Sequence, residues 1–269
     1  MTRGLSRTLA ALTVLAASSI ARVSALDLDE IEKRGTLRVL AVVLNQPEDF
    51  ISMKPGVGFD REVLDGFARL HRLGLQIVPQ PSWDHLIPAL QQGKGDLIAG
   101  RFTVTDSRRR LIEFTAEVFP TRNVVVTRRP RPVVTTLEQL RRERVGTVRG
   151  TSLAEAVATA GVPPANVDDS LPTGTLPAAL KAGTVTSVVL GVENAISARQ
   201  QDAELELGLF LGPPRSLAYG VRKEDKRLLA SLDEYIGHLR LSASWSQLVV
   251  KYFGEQAPEV LKKARTETP

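Results

Sequence analysis

The stretch Gly93-Lys94-Gly95-Asp96-Leu97-Ile98-Ala99-Gly100-Arg101-Phe102-Thr103-Val104-Thr105-Asp106-Ser107-Arg108-Arg109-Arg110 decides how the chain is read. Asp96 to Ala99 has the apolar run of a short buried strand, and Gly100 breaks it. A polar turn follows, with Arg101, Thr103, Thr105 and Asp106, before Arg108 to Arg110 begin a basic helical segment. In an open α/β sheet, ligands gather beyond the carboxyl ends of the strands. A loop there offers backbone N–H groups, hydroxyls and a guanidinium that takes a carboxylate bidentately. The stretch is therefore expected to form one wall of an anion-binding cleft.

At 269 residues the chain is long enough for two modest α/β domains or one large one. It has no cysteine, which excludes disulfides, thiolate metal sites and a cysteine nucleophile. Residues 1–25 read as a cleaved signal peptide. Arg3 and Arg7 form a basic start, Leu9 to Ile20 an apolar run too short to span a bilayer comfortably, and Val23-Ser24-Ala25 a cleavage site. The product is expected in the periplasm. Removing this segment takes away three arginines and no acid, so the net charge falls from +5 to +2. The basic clusters Arg108 to Arg110 and Arg141-Arg142 lack interleaved aromatics, so no nucleic-acid partner is expected.

Along the chain, helices are expected at Leu28 to Lys33 and from Gly58 to about Leu73, and strands at Thr36 to Leu44 and Leu75 to Val78. A helix from His85 to Gln92, stopped by Gly93, leads into the opening stretch. Asn123 to Thr127 is a β-branched strand, and Arg128-Arg129-Pro130-Arg131-Pro132 is read as a stiff crossing into a second lobe. There, Gly150-Thr151-Ser152 opens a helix, with Ser152 and Glu155 spaced as a capping box. Its N-terminus is a natural carboxylate site. Residues 176–190 echo residues 86–100 at an offset of 90, with Leu86, Ala89, Leu90 and Gly93 recurring as Leu176, Ala179, Leu180 and Gly183. The echo points to two similarly built lobes. Leu217 to Val221 reads as a return strand, Leu228 to Leu241 as an amphipathic helix, and residues 255–269 as a polar, frayed end.

Asp96, Leu97, Ile98, Thr103, Val104, Thr105 and Arg108 resemble the binding segment of family 3 extracellular solute-binding proteins, the periplasmic receptors of polar amino-acid ABC transporters. Trp83 to Asp96, Ile112 to Thr115, the Gly150-Thr151-Ser152 turn and Trp245 to Gly254 resemble further family segments, in the family's order. The resemblance implies an α/β, two-lobe periplasmic binding protein of type II, the Venus flytrap, with two hinge-crossing strands. Residues 26–127 and 217–269 would form the first lobe and 128–216 the second. It implies that Thr103 and Arg108 grip a ligand carboxylate and that Thr151 and Ser152 contact it from the second lobe. Arg101 stands where a small residue is usual, which puts a second cation near the anion site or else points it outward. Phe102, in the same turn, is counted with the ligand-binding residues. Phe50 is a candidate aromatic lid, Glu48 a candidate acidic group, and Trp83 faces either the cleft or the core. The family's ammonium-binding aspartate aligns with Gly191, and Glu193, two residues on, is the candidate replacement.

The expected partners are a small anionic or zwitterionic ligand and the membrane permease of an ABC transporter, and the expected state is a monomer. No cofactor or metal is expected. His71, His85 and His238 are scattered, and no nucleophile–base pair or metal spacing appears. Two other readings share the scaffold: a cyclohexadienyl-dehydratase-like enzyme with Glu193 or Glu48 as general acid, and a free-standing periplasmic sensory or regulatory protein.

Overall fold

The structure, a computed structural model, describes residues 27–44 and 50–266. The expected signal peptide and Glu48 lie outside the described residues. In chain order the first elements are α1 (Leu28–Arg34), β1 (Thr36–Ala41), α2 (Phe59–Leu70), β2 (Gly74–Pro79), α3 (Leu86–Gln91), β3 (Leu97–Ile98), α4 (Asp106–Arg109) and β4 (Glu113–Phe114). Then come β5 (Phe119–Arg128), α5 (Leu137–Leu140), β6 (Val145–Gly146), α6 (Ser152–Thr159), β7 (Val167–Asp168), α7 (Leu176–Lys181), β8 (Ser187–Gly191), α8 (Val192–Gln201) and β9 (Leu205–Leu217). The chain returns through β10 (Gly220–Val221) to α9 (Lys226–Leu241), α10 (Ala243–Phe253) and α11 (Ala257–Thr266).

Two five-stranded sheets result, ordered β2-β1-β3-β10-β4 and β7-β6-β8-β5-β9. In the first, β1 runs parallel to β2 and β3, and the returning β10 is antiparallel to β3 and β4. In the second, β6 runs parallel to β7 and β8, and β5 is antiparallel to β8 and β9. The sequence echo is structural: α3 and α7 start 90 residues apart, and each is followed by a glycine, Gly93 or Gly183, at φ 71°. Left-handed backbone there needs a residue without a Cβ.

The two chain crossings lie side by side. Thr115 N–H donates to Tyr219 O and Val118 N–H to Leu217 O, both at 2.9 Å, and Tyr219 N–H donates to the Thr115 hydroxyl. The crossing therefore falls at residues 115–118, earlier than the sequence reading put it. The strand expected at the end of the first lobe, β5, pairs throughout within the second sheet. Its β-branched run Val124, Val125 and Val126 is buried on both faces of that sheet. The Arg128–Pro132 segment follows β5 inside the second lobe. The expected frayed end is also corrected. In α11, Ala257, Leu261 and Ala264 recur on one face and are buried, and the helix packs on α8 and β5. Phe50, Phe59, Phe119 and Phe253 form one aromatic cluster, which joins α2, α10 and the start of β5.

Asp96 fixes the strand that leads to the binding turn. It is wholly buried and accepts from Arg38 N–H at 2.8 Å, from the Arg38 guanidinium at 2.9 Å and from Arg34 at 2.5 Å. Its own N–H donates to Arg38 O. Removing one partner of a buried ion pair leaves charge uncompensated, at a cost of about 3–5 kcal/mol. Asp96→Ala is therefore expected to lower the unfolding free energy by about that amount, read from urea midpoints. An unchanged midpoint would show the cluster to be dispensable.

Candidate functional site

A cavity of about 170 Å³ lies between the lobes. That volume holds a small metabolite; cavities near 150 Å³ accept benzene. Leu44, Trp83, Arg101, Thr103 and Arg108 line it from the first lobe. Second-lobe walls come from β5, the start of α6, the start of α7, the end of β8 and one face of α8.

The first wall is the turn after β3. Gly100 and Arg101 are both left-handed, with φ of 87° and 60°. For a residue with a Cβ this conformation costs about 1–2 kcal/mol, so something must hold it. Asp60 does: its buried carboxylate accepts from Gly100 N–H at 2.9 Å and from Arg101 N–H at 3.4 Å. The Tyr219 hydroxyl, in the return crossing, donates to the same carboxylate at 3.1 Å. Burial pushes the Asp60 carboxyl up to about 7, against the opposing pull of these donors. Further along, the Thr105 hydroxyl caps α4 by accepting from Arg108 N–H. The Arg108 guanidinium lies 4.2 Å from the Phe102 ring centroid and donates to Thr103 O at 2.8 Å. Burial lowers its pKa to about 10, so it stays charged at neutral pH.

The second wall faces it. The Thr151 hydroxyl caps α6, accepting from Ala154 N–H and donating to Val148 O. The leading N–H groups of that helix have no partner within it. The expected Ser152–Glu155 capping box is not what forms: Thr151 is the cap, which makes Ser152 the first helical residue. Ser152 is freed for another contact, and its hydroxyl donates across the cleft to the Thr103 hydroxyl at 3.3 Å. Arg101 bridges the lobes as well, donating to Asn194 Oδ1 at 3.2 Å.

Glu193 is buried in the first turn of α8, and Thr121 Oγ1 donates to its Oε2 at 2.5 Å. Burial pushes its carboxyl up, while Thr121, the local backbone and nearby Arg101 pull the other way. The side chain folds back over residue 191. A Cβ on Gly191 would lie 2.1 Å from Glu193 Oε1 and 2.7 Å from its carboxyl carbon. The carboxylate thus occupies space that any side chain at 191 would need.

The structure brings Arg101, Thr103, Arg108, Thr151, Ser152, Glu193 and Trp83 to one cavity. Two of the expected site residues do not belong there. Phe50 is fully buried in the aromatic cluster, with ring centroids 5.7 Å from Phe59 and 5.2 Å from Phe253, and does not line the cavity. Phe102 points away, stacked on Phe114 beneath Arg108, and serves as its platform. Sequence reasoning missed Asp60, Thr121 and Asn123. The signal for the last two was polarity inside an otherwise β-branched strand. Asn123 pairs with Gly191 in the sheet and donates to Ser152 O.

The family model for bacterial extracellular solute-binding proteins, family 3, matches residues 37–255. The chain is 28% identical over 222 residues to a probable histidine-binding protein of Campylobacter jejuni, covering 81% of this chain and 84% of that one. It is 28% identical over 213 residues to the L-arginine-binding protein of Pseudomonas aeruginosa, covering 73% and 79%. The crystal structure of a mutant ArgBP from T. maritima superposes with a TM-score of 0.74 at 27% identity, covering 84% of this chain and 99% of that one. The architecture is that of a two-lobe, type II periplasmic binding fold.

The Asp60 shift has a definite sign. The folded state holds this proton more tightly than the unfolded chain, whose carboxyl titrates near 3.8. Its contribution to stability therefore falls as pH rises from about 4 to about 7. Asp60→Asn removes that dependence. The melting temperature of the variant minus that of the wild type is expected to increase across this window and level off above it. A difference that stays constant with pH would contradict the assignment.

Proposed function

The chain belongs to the bacterial extracellular solute-binding proteins, family 3, and from that premise we propose that it captures an α-amino acid between its lobes for the membrane permease of an ABC transporter. The carboxylate is taken by the Arg108 guanidinium, with the Thr103 hydroxyl and the N-terminus of α6 orienting it from either side. The ammonium is taken by Glu193. The observation that carries this reading is that the Arg108 guanidinium and the Glu193 carboxyl line one cavity, the latter folded into the place left by the missing side chain at 191. A zwitterion neutralises both, and each buried charge needs a partner. Names of relatives that bind histidine or arginine support an amino acid as the solute class.

Closure follows from the same contacts. The ligand touches both walls only when the lobes meet, so binding favours the closed state by its differential affinity. The leader Met1–Ala25 would carry the chain out of the cytoplasm and be removed there.

Arg108→Ala is expected to weaken amino-acid binding at least 100-fold by titration calorimetry. Its described protein contacts are a carbonyl and an aromatic face, so the ligand-free melting temperature should move by only a few degrees. A collapse of ligand-free stability would mark Arg108 as structural instead. Gly191→Ala is expected to displace the Glu193 carboxylate, weakening an amino acid at least tenfold more than the matching acid without its amine. Equal weakening of the two would contradict the role given to Glu193.

A further inference from the structure

Resting on the amino-acid reading above, we infer that the preferred ligand carries an apolar side chain, aliphatic or aromatic, rather than a cationic or carboxamide one. Around Arg108 and Glu193 the polar side chains of the cavity are tied to one another: Thr121 donates to Glu193, Ser152 to Thr103, and Arg101 to Asn194. These groups surround the places assigned to the α-carboxylate and the α-ammonium. Much of the remaining wall is hydrocarbon, contributed by both lobes.

From the second lobe come Val148, Leu153, Leu176 and Leu190, which belong to one apolar cluster. Leu176 and Leu190 are buried, whereas Val148 and Leu153 are only partly so, which leaves apolar surface where the cluster borders the cavity. From the first lobe come Leu44 and Trp83, both partly buried and packed against the cluster that holds Leu40, Val42 and Ile98. The Leu44 side chain reaches the other lobe. Its Cδ1 lies 3.3 Å from the Cβ position of Gly174, a residue of the second-lobe wall. Gly174 has a φ of 85°, a backbone that favours glycine, and the side chain it lacks leaves the room that Leu44 approaches. Two residues that could break this surface do not. Trp83 Nε1 and Ser197 Oγ are sealed from solvent, so neither residue offers its polar atom to the cavity.

Glu193 is the one carboxylate lining the cavity among the described residues. Once it holds the α-ammonium, a guanidinium or ammonium at the end of a side chain has no acid to meet it, and a buried cation without a partner is strongly disfavoured. A carboxamide laid on this wall would exchange water for hydrocarbon, again at a cost. An apolar side chain gains instead, since each buried methylene is worth roughly a fourfold increase in affinity.

The test is titration calorimetry of the full chain with L-leucine, L-phenylalanine, L-alanine, L-glutamine, L-arginine and L-lysine. Leucine or phenylalanine is expected to bind at least tenfold tighter than each of the other four. Any of those four binding within tenfold of the better apolar ligand, or more tightly, overturns the inference while leaving amino-acid capture intact. Absence of binding by all six overturns both. Val148→Thr keeps the size of the side chain and puts a hydroxyl on the wall. It is expected to weaken the better apolar ligand at least fivefold more than L-alanine. Equal losses would assign Val148 to lobe closure and count against the inference. Leu44→Ala provides the same comparison from the opposite wall, with the same two outcomes.

Discussion

A side-chain carbon at residue 191 and the carboxylate of Glu193 cannot occupy the same space. The Cβ position of Gly191 lies 2.1 Å from Glu193 Oε1, far inside any contact distance. The cavity's one described carboxylate therefore depends on the absence of a side chain two residues earlier. Glu193 gains from its place in the first turn of α8, where the helix dipole favours negative charge, and from the Thr121 hydroxyl. Burial opposes both. Under the proposed function this group receives the ligand's ammonium. Gly191 and Arg101 meet in the same place: Arg101 bonds Asn194, the residue next to Glu193.

The other wall depends on a buried carboxylate of a different kind. Asp60 faces two consecutive left-handed residues and the hydroxyl of the return crossing. Its bonds to Gly100 and Arg101 hold a conformation that Arg101 would not adopt alone. Its bond to Tyr219 ties the ligand-facing turn to the hinge. Burial that raises its pKa is the cost of placing an acceptor there, and the three donors offset part of it. Hydrogen bonds thus link the turn to the return crossing through Asp60 and to the second lobe through Thr103–Ser152 and Arg101–Asn194.

Much of this was legible in the sequence, for identifiable reasons. Asp96, Thr103 and Arg108 lie in a short, ordered strand and turn where local backbone chemistry decides the outcome, whereas the cap of α6 was read one residue late, at Ser152 instead of Thr151. The 90-residue echo survives as α3 and α7 because a glycine stop and an apolar helical face are local signals. Facing direction was not legible. Phe50 and Phe102 are aromatics beside the cleft in sequence, yet both turn into the interior, where Phe59, Phe253 and Phe114 offer apolar partners. The lobe boundary was misread because a Pro-Arg segment resembles a linker, whereas the true crossing at residues 115–118 has no composition to mark it. Asp60 reads locally as a helix start, and its function comes from residues 40 and 159 positions away.

The measurement that tests the account most directly is a crystal structure of the chain with a bound L-amino acid. The account predicts the α-carboxylate on the Arg108 guanidinium and the α-ammonium within about 2.7–3.2 Å of a Glu193 carboxylate oxygen, hydrogen-bond range. A ligand bound with its amine directed elsewhere, and Glu193 still paired with Thr121 alone, would contradict it.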